Sequence, residues 1–353
     1  MAKDIILTGT HGWLGSRMLH ALVHGLPDYA DTIAEPGSHI HCFYRDGEPL
    51  IDTGLDDDAN LHITPVFGNL EKQEDCDRLF AGASDSVLLH TAGLIHPQRR
   101  VSEFFSTNVE GTLNLLRSGA RAGCRRAVIV SSNSPIGCNP TPEHRFDEDS
   151  PYNPYQGYGR SKMEMELRAR DYAAELGMEL VIIRPPWFYG PFQPPRQTLF
   201  FTMIKEGKGP ILGQGLNQRS MVYVDNLCQG LSLASHLPQA AGNTYWIADA
   251  EPYEMRTVLD TIESVLEEDF SMEVAHKRMK LPALAGDIAY YVDAAIQATG
   301  MYHQKIHVLS EMNKNISCSI EKARRELGYE PKIALREGMR RSIGWCLEQG
   351  LDI

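Results

Sequence analysis

Tyr158 and Lys162 stand four residues apart in "YGRSK". On a helix that spacing puts both side chains on one face. A lysine ammonium beside a phenol favours the phenolate, whose ordinary pKa is about 10. Such a pair can take up and release a proton near neutral pH. By itself it is a weak signal, because a two-residue pattern recurs by chance in a chain with 14 tyrosines. A second candidate is "TGTHGWLGS" (8–16), with Gly9, Gly12 and Gly15 at three-residue spacing. Glycine permits a tight turn and lets the backbone approach a pyrophosphate. The free N–H groups and the dipole of a following helix complete the anion site. This run follows the first apolar strand and opens a helix, the context in which three glycines mark dinucleotide binding.

These residues need a scaffold. The runs "DIILTG" (4–9), "HIHCFY" (39–44), "ITPVFG" (63–68), "SVLLHTAG" (86–93), "RAVIVSS" (126–132) and "LVIIRPP" (180–186) read as buried parallel strands. Helical stretches such as "VEGTLNLLRSGARAG" (109–123) separate them. This alternation predicts an α/β fold, a Rossmann-type doubly wound parallel sheet, with ligands beyond the carboxyl ends of its strands. The dinucleotide-binding domain is expected over residues 1–190, with 220–237 returning to it as strand and helix. Residues 191–219 and 238–353 are expected to form a smaller α/β substrate-binding region. Within it, "LPALAGDIAYYVDAAIQATG" (281–300) carries apolar residues at 281, 284, 285, 288, 292, 295 and 296. That stripe predicts core packing, or else a lid or membrane-surface face beside an apolar substrate.

The second strand should end in the residue that reads the cofactor ribose. An acid there accepts hydrogen bonds from the 2′-hydroxyl of NAD. In "HIHCFYRDG" the position falls at Tyr44 and Arg45. A basic residue suits a 2′-phosphate, which favours NADP(H), with NAD(H) the alternative if Asp46 takes the acid's part.

The chain of 353 residues has a formal net charge of −12, 42% hydrophobic and 23% charged residues. That is an ordinary globular composition, and the acidic balance disfavours nucleic acid as a partner. The seven cysteines are scattered and contain no C-x-x-C. They read as reduced thiols of a cytoplasmic protein, with neither a zinc site nor a disulfide framework. The N-terminus runs straight into a strand without signal-peptide features, and no stretch of about 18 apolar residues predicts a membrane span.

Taken in order, these pieces resemble the extended short-chain dehydrogenase/reductase family over residues 5 to about 345. "TGTHGWLG" is similar to the family's TGxxGxxG. "GNL" (68–70) stands for GDL, with Asn69 in place of the acid. "HTAG" (90–93), "NVEGT" (108–112), "VSSNSPIG" (130–137), "YGRSK", "RPPWFYGP" (184–191), "VYVDN" (222–226) and "SIEKARRELGYEP" (319–331) match later family elements. The resemblance implies that Tyr158 is the general acid/base. It implies that Lys162 lowers the Tyr158 pKa and holds the nicotinamide ribose, and that Ser132 orients the substrate oxygen. Ser131 and Ser134 compete for that place if the register slips. Gly9, Thr10, Gly12, Trp13, Leu14, Gly15, Arg45, Asn69, Leu70, Thr91, Ala92, Gly93, Asn108 and Pro185 are expected around the cofactor, with Asn108 in a structural role. His90 is expected as a packed structural residue.

The family runs several chemistries, so the fold alone does not choose among them. Sugar dehydratases of this family carry Thr-Asp-Glu at the fifth strand's end, where this chain has Ser132, Asn133 and Ser134. Nucleotide-sugar enzymes often place Asn where this chain has Trp187, a side chain suited to an apolar substrate. Arg219 argues the other way, since sugar enzymes often keep a phosphate-binding Arg there. The later motifs look most like the 3β-hydroxysteroid dehydrogenase branch. The expectation is an NAD(P)-dependent oxidoreductase acting on a secondary alcohol or ketone of a steroid-like or lipid-like molecule. The alternative is a nucleotide-sugar epimerase or dehydratase. Ser134, His96, Trp187 and Arg219 are the expected substrate contacts, and no metal is expected. The resemblance also implies a homodimer through helices near 107–121 and 158–176.

Overall fold

In a computed structural model, residues 3–30, 34–54 and 61–353 are described. Six strands appear where the apolar runs predict them: β1 Asp4–Thr8, β2 Ser38–Arg45, β3 Leu61–Gly68, β4 Val87–His90, β5 Arg126–Val130 and β6 Glu179–Arg184. A further strand, Thr244–Trp246, joins them on the outer side of β6. All seven run parallel, with β6, β5, β4, β1, β2 and β3 following in that spatial order. The order reverses between β1 and β4, and a doubly wound sheet opens its ligand crevice at that switch point. Apolar side chains fill both faces of the inner strands, as a parallel sheet covered by helices requires. β3, expected to be buried, is instead an edge strand exposed at His62, Thr64, Pro65 and Phe67, because no further strand covers it.

The second half interleaves with the first more than its sequence suggests. Residues 244–246 lie in the main sheet although they fall in the expected substrate-binding stretch. Three residues, "TYW", are too short for alternation to be visible. Met221–Tyr223 pairs with Trp187–Tyr189 in a separate two-stranded ladder, and the helix Val224–His236 then packs back on the main core. A third apolar cluster joins Phe201, Ile211, Tyr223, Leu259 and Ile343 below that ladder.

The helix Leu284–Ala298 is turned inside out relative to the core-packing expectation. It buries Gly286, Ala289, Asp293 and Gln297. Leu284, Ile288 and Val292, on the predicted apolar side, are 63%, 55% and 42% exposed, and the neighbouring Tyr291 is 72% exposed. The reason lies in what it packs on. Its inner side meets the polar start of the helix Gln156–Leu176, where Gln297 accepts a hydrogen bond from the Gly157 amide at 2.8 Å. Among the described residues no helix is long and apolar enough to cross a membrane.

Candidate active site

The glycine turn is built as its spacing requires. Gly9 has φ +74°, and a β-carbon there would lie 2.6 Å from the Ala92 amide. One on Gly15 would lie 2.0 Å from the Gly9 carbonyl. The helix Trp13–His24 begins at Gly12 with no side-chain cap and no acid in its first turn. Its first N–H groups are left for an anion, so turn and helix fit a dinucleotide pyrophosphate. Thr10 and Ser16 close the turn, with the Ser16 hydroxyl donating to the Thr10 carbonyl at 2.9 Å. Leu14 is buried beneath it. Trp13 reaches sideways: its Nε1 donates to the Pro191 carbonyl at 2.7 Å and its ring packs on Phe188.

At the end of β2 Tyr44 is buried in the core, and Arg45 is 78% exposed. Its guanidinium lies 3.3 Å from Glu48, whose other carboxylate oxygen accepts from the Arg45 amide at 2.9 Å. A carboxylate therefore stands beside Arg45 at the end of β2, supplied by Glu48 and not by Asp46, the acid the sequence offered there. At the end of β3, Asn69 accepts from the Glu71 amide and its own amide donates to Asp75, while Leu70 is buried.

The end of β4 lies beside the glycine turn, where Thr91 donates to the Thr8 carbonyl at 2.7 Å. His90 is buried between Thr8 and Thr112, at 2.7 and 2.9 Å. Thr112 gives its proton to the Asn108 carbonyl, so its oxygen accepts from His90 Nε2. Burial first, and the Lys162 charge second, hold this imidazole neutral, with a pKa of about 3. It is a packed structural residue. Asn108 sits in a π-type turn, Ser106–Glu110, inside a longer helix. Its amide binds both the Leu94 N–H and the Leu94 carbonyl, at 2.7 and 3.0 Å, and also donates to Ser161. All its polar atoms face protein, so it clips the β4 loop to the helix of Tyr158.

Two glycines flank Tyr158 on that helix, and each admits a neighbour. A β-carbon on Gly159 would lie 2.5 Å from the Ser134 carbonyl, and one on Gly157 would lie 2.6 Å from Gln297 Oε1. The helix can therefore press its first turn against the end of β5 on one side and the helix Leu284–Ala298 on the other. Ser132 lies beside the Tyr158 phenol and favours its ionised form. The Ser132 oxygen also lies 3.3 Å from Ser134 Oγ and accepts from the Ser134 amide. Ser131 turns the opposite way and donates to Glu166 at 2.6 Å. Glu166, fully buried, also pairs with Arg184 at 2.6 Å and accepts from Tyr152. This network fixes the ends of β5 and β6 against the helix, and Pro185 follows, buried, from β6.

Burial pushes the Tyr158 phenol up to about 12; Ser132 pulls it down, Glu311 raises it and Arg196 lowers it. Lys162 is not among the groups that shift Tyr158 here. Its ammonium is buried, donates to the Val130 carbonyl at 3.0 Å, and is brought down to about 8 mainly by burial. A β-carbon on Gly93 would lie 3.1 Å from that nitrogen, so glycine there lets the ammonium pack close to the backbone after β4.

Phe104, Tyr302, His307 and Glu311 are marked by no motif and also surround Tyr158. Phe104 and Tyr302 form an aromatic wall with Tyr158, at ring separations of 5.7 Å (Phe104–Tyr158) and 5.4 Å (Phe104–Tyr302). His96 meets the Tyr302 hydroxyl at 2.6 Å; burial, then Arg196 and His307, lower it to about 3. His307 lies 2.7 Å from buried Asp293 and 3.8 Å from Glu311. Burial opposes its imidazolium, but the Asp293 hydrogen bond and the two acids outweigh that and raise its pKa. Glu311 thus supplies a carboxylate near Tyr158 that sequence reasoning missed; only its (i, i+4) spacing from His307 hinted at it. Trp187 packs edge-on against Phe200, 5.9 Å between rings, at the rim of the third cluster. Arg219 lies in a short ladder with Tyr253, and its buried Nη1 has no hydrogen-bond partner among the described residues.

Residues 5–248 match the model of the NAD dependent epimerase/dehydratase family. Over 350 residues the chain is 50% identical to uncharacterized protein y4nL of Sinorhizobium fredii, covering 99% of this chain and 96% of that one. It is 30% identical over 317 residues to 3beta-hydroxysteroid-dehydrogenase/decarboxylase isoform 1 of Arabidopsis thaliana, covering 84% and 70%. The crystal structure of DesIV, a dTDP-glucose 4,6-dehydratase from Streptomyces venezuelae with NAD and TYD bound, superposes with a TM-score of 0.71. The match spans 98% of this chain and 97% of that one at 24% identity, a likeness of fold.

Proposed function

The chain belongs to the NAD dependent epimerase/dehydratase family, and from that premise we propose that it is an NAD(P)-dependent oxidoreductase interconverting a secondary alcohol and a ketone on an apolar, steroid-like or lipid-like molecule. The observation that carries the reading is the setting of Tyr158: a buried phenol beside Ser132, packed with Phe104 and Tyr302. The end of β5 brings no acid pair beside it, only Asn133 and Ser134.

The nicotinamide supplies the hydride chemistry when bound. The glycine turn and helix Trp13–His24 hold its pyrophosphate, and Lys162, packed close to Gly93, holds the ribose hydroxyls. Tyr158, neutral at pH 7, gives its proton to the carbonyl oxygen in reduction and takes it back in oxidation. Ser132 donates to the same oxygen and steadies its developing charge. The aromatic wall keeps water from the reacting carbon, and the outward apolar face of Leu284–Ala298 supports an apolar substrate arriving over that helix.

For the cofactor, Arg45 supports NADP(H), but Glu48 pairs with it and is itself placed to accept from a 2′-hydroxyl. Glu48→Gln is expected to tighten NADP(H) and weaken NAD(H), measured by calorimetric titration. A homodimer through the helices Gly111–Arg121 and Gln156–Leu176 is part of this proposal, to be checked by light scattering.

A second reading, a nucleotide-sugar enzyme that recycles its hydride, is favoured by the unpartnered Arg219 Nη1 and by Glu311 near Tyr158. Incubation with NAD(H) or NADP(H) and a panel of hydroxysteroids, β-keto lipids, aromatic ketones and UDP- or dTDP-sugars separates the two. Sustained change in nicotinamide absorbance with an apolar substrate supports the first. A sugar converted with no net change in absorbance overturns it.

A further inference from the structure

Asp4, His39 and His41 lie at the starts of β1 and β2, the opposite end of the sheet from Tyr158. Asp4 and His39 are register partners across the two strands. His41 is two residues further along β2, so all three side chains project from the same face. One carboxylate oxygen and one nitrogen from each imidazole lie within 4.8 Å of one another. The two rings pack together with centroids 4.1 Å apart. His62 is the register partner of His39 on β3, on the same face, with its ring 6.3 Å away.

The remaining polar atoms of these residues are already tied. Asp4 Oδ2 accepts from the Ser84 amide at 3.0 Å. His39 Nε2 lies 2.7 Å from the Thr64 hydroxyl, and its Nδ1 has no hydrogen-bond partner among the described residues. His41 is 3% exposed, its ring leans on the Leu79 carbonyl, and its Nε2 has no hydrogen-bond partner among the described residues. A buried nitrogen left unpaired is costly in free energy. Outer contacts that orient each ligand while leaving one atom free are the arrangement found around metal-binding histidines and carboxylates.

We propose that Asp4, His39 and His41 bind one divalent transition-metal ion of the zinc type, with His62 or water in the remaining position. Two imidazoles and a carboxylate suit zinc in ligand type and number. Bonds of about 2.0–2.2 Å put tetrahedral ligand atoms roughly 3.4 Å apart. The three must therefore close in by about 1 Å, a movement open to the half-buried Asp4 and His39. The ion is not catalytic. It lies roughly 17 Å from Gly9 in the glycine turn, at ~3.3 Å per residue along β1. It joins β1 to β2, the strands whose far ends carry that turn and Arg45.

The test uses the full chain without a histidine tag, stripped by chelator and titrated with Zn2+ by calorimetry and with Co2+ by visible absorption. One ion per chain is expected, with cobalt bands typical of low coordination and a rise in melting temperature on adding zinc. His39→Ala and Asp4→Asn should each weaken binding by more than tenfold, and Thr64→Val by about 10–100-fold through the outer contact. His39 and Thr64 are not buried, so these variants remain informative if a change at His41 prevents folding. Absence of stoichiometric binding overturns the proposal, as does binding that His39→Ala and Asp4→Asn leave unchanged.

Discussion

The ends of β1, β4 and β5 and the helix pair Leu284–Ala298 and Gln304–Glu311 both close around Tyr158, yet they are built on opposite rules. At the strand ends the apolar residues are buried and the polar atoms that face the site come from backbone turns and short side chains. In the helix pair the polar residues are buried and the apolar ones face outward. Asp293 is fully buried against His307 and Gln297, while Tyr291 on the same helix is 72% exposed. The strand ends depend on local chain geometry, and the helix pair depends on what it is packed against. Only the first kind of construction leaves a trace at fixed spacing.

The largest expected effect tests whether both regions serve one reaction centre. Tyr158→Phe should lower turnover by about 10²–10⁴-fold, while nicotinamide cofactor binding, read by calorimetry, stays within a factor of a few. Retained turnover would move the chemistry to the helix pair, with Glu311 and His307 as its groups.

Next come the two glycines beside Tyr158, one facing each region. A β-carbon on Gly159 meets the Ser134 backbone at 2.5 Å, and one on Gly157 meets the end of the Gln297 side chain at 2.6 Å. Backbone cannot yield cheaply, whereas a glutamine amide can rotate. Gly159→Ala should cost on the order of 100-fold in kcat, the scale of a 1 Å misplacement. Gly157→Ala should cost less than about tenfold. Equal losses would mean that the helix pair is as rigid as the strand ends.

The same contrast explains what the sequence made legible. Gly9, Gly12 and Gly15 were readable because steric demands on a turn admit only glycine. The runs of β1, β2, β4, β5 and β6 were readable because both faces of a covered parallel sheet are apolar, whereas β3 is an edge strand exposed at His62, Thr64, Pro65 and Phe67. Tyr158, Lys162 and Ser132 were readable through their order along the chain. Glu311, His307, Arg196 and Tyr302 were not, because their meaning arises from packing between elements far apart in the chain. The stripe of Leu284–Ala298 misled for a related reason. The spacing of apolar residues along a helix tells which side is apolar, and the buried Asp293–His307 pair decided which side faces in.

That pair gives the third test. The folded state favours the His307 imidazolium, so the stabilisation is fully present below the unfolded value of about 6.5. It is lost as pH rises through the raised folded value. Melting temperature followed from pH 5 to 9 should therefore carry a downward component above about 6.5 that Asp293→Asn removes. The variant should be destabilised by about 1–3 kcal/mol at pH 6, the range for a hydrogen bond to a charged group. An unchanged pH profile in Asp293→Asn would show that His307 is neutral and that the helix pair is held by packing alone.

The smallest effect on stability falls on the outward face, and it separates a substrate-facing surface from an idle one. Ile288 and Tyr291 are 55% and 72% exposed, so Ile288→Ser and Tyr291→Ser should shift stability by no more than about 0.5 kcal/mol. If lipid-like substrates arrive over this helix, both variants should raise KM for such a substrate several-fold. KM for a small ketone and kcat for either substrate should stay unchanged, because Tyr158 and Ser132 keep their contacts. A KM that moves equally for both substrates would point to a change transmitted through Asp293 and Gln297 to the Gly157 amide. A KM that moves for neither would leave the apolar face unconnected with the reaction, and the inversion of this helix would then follow from its polar inner contacts alone.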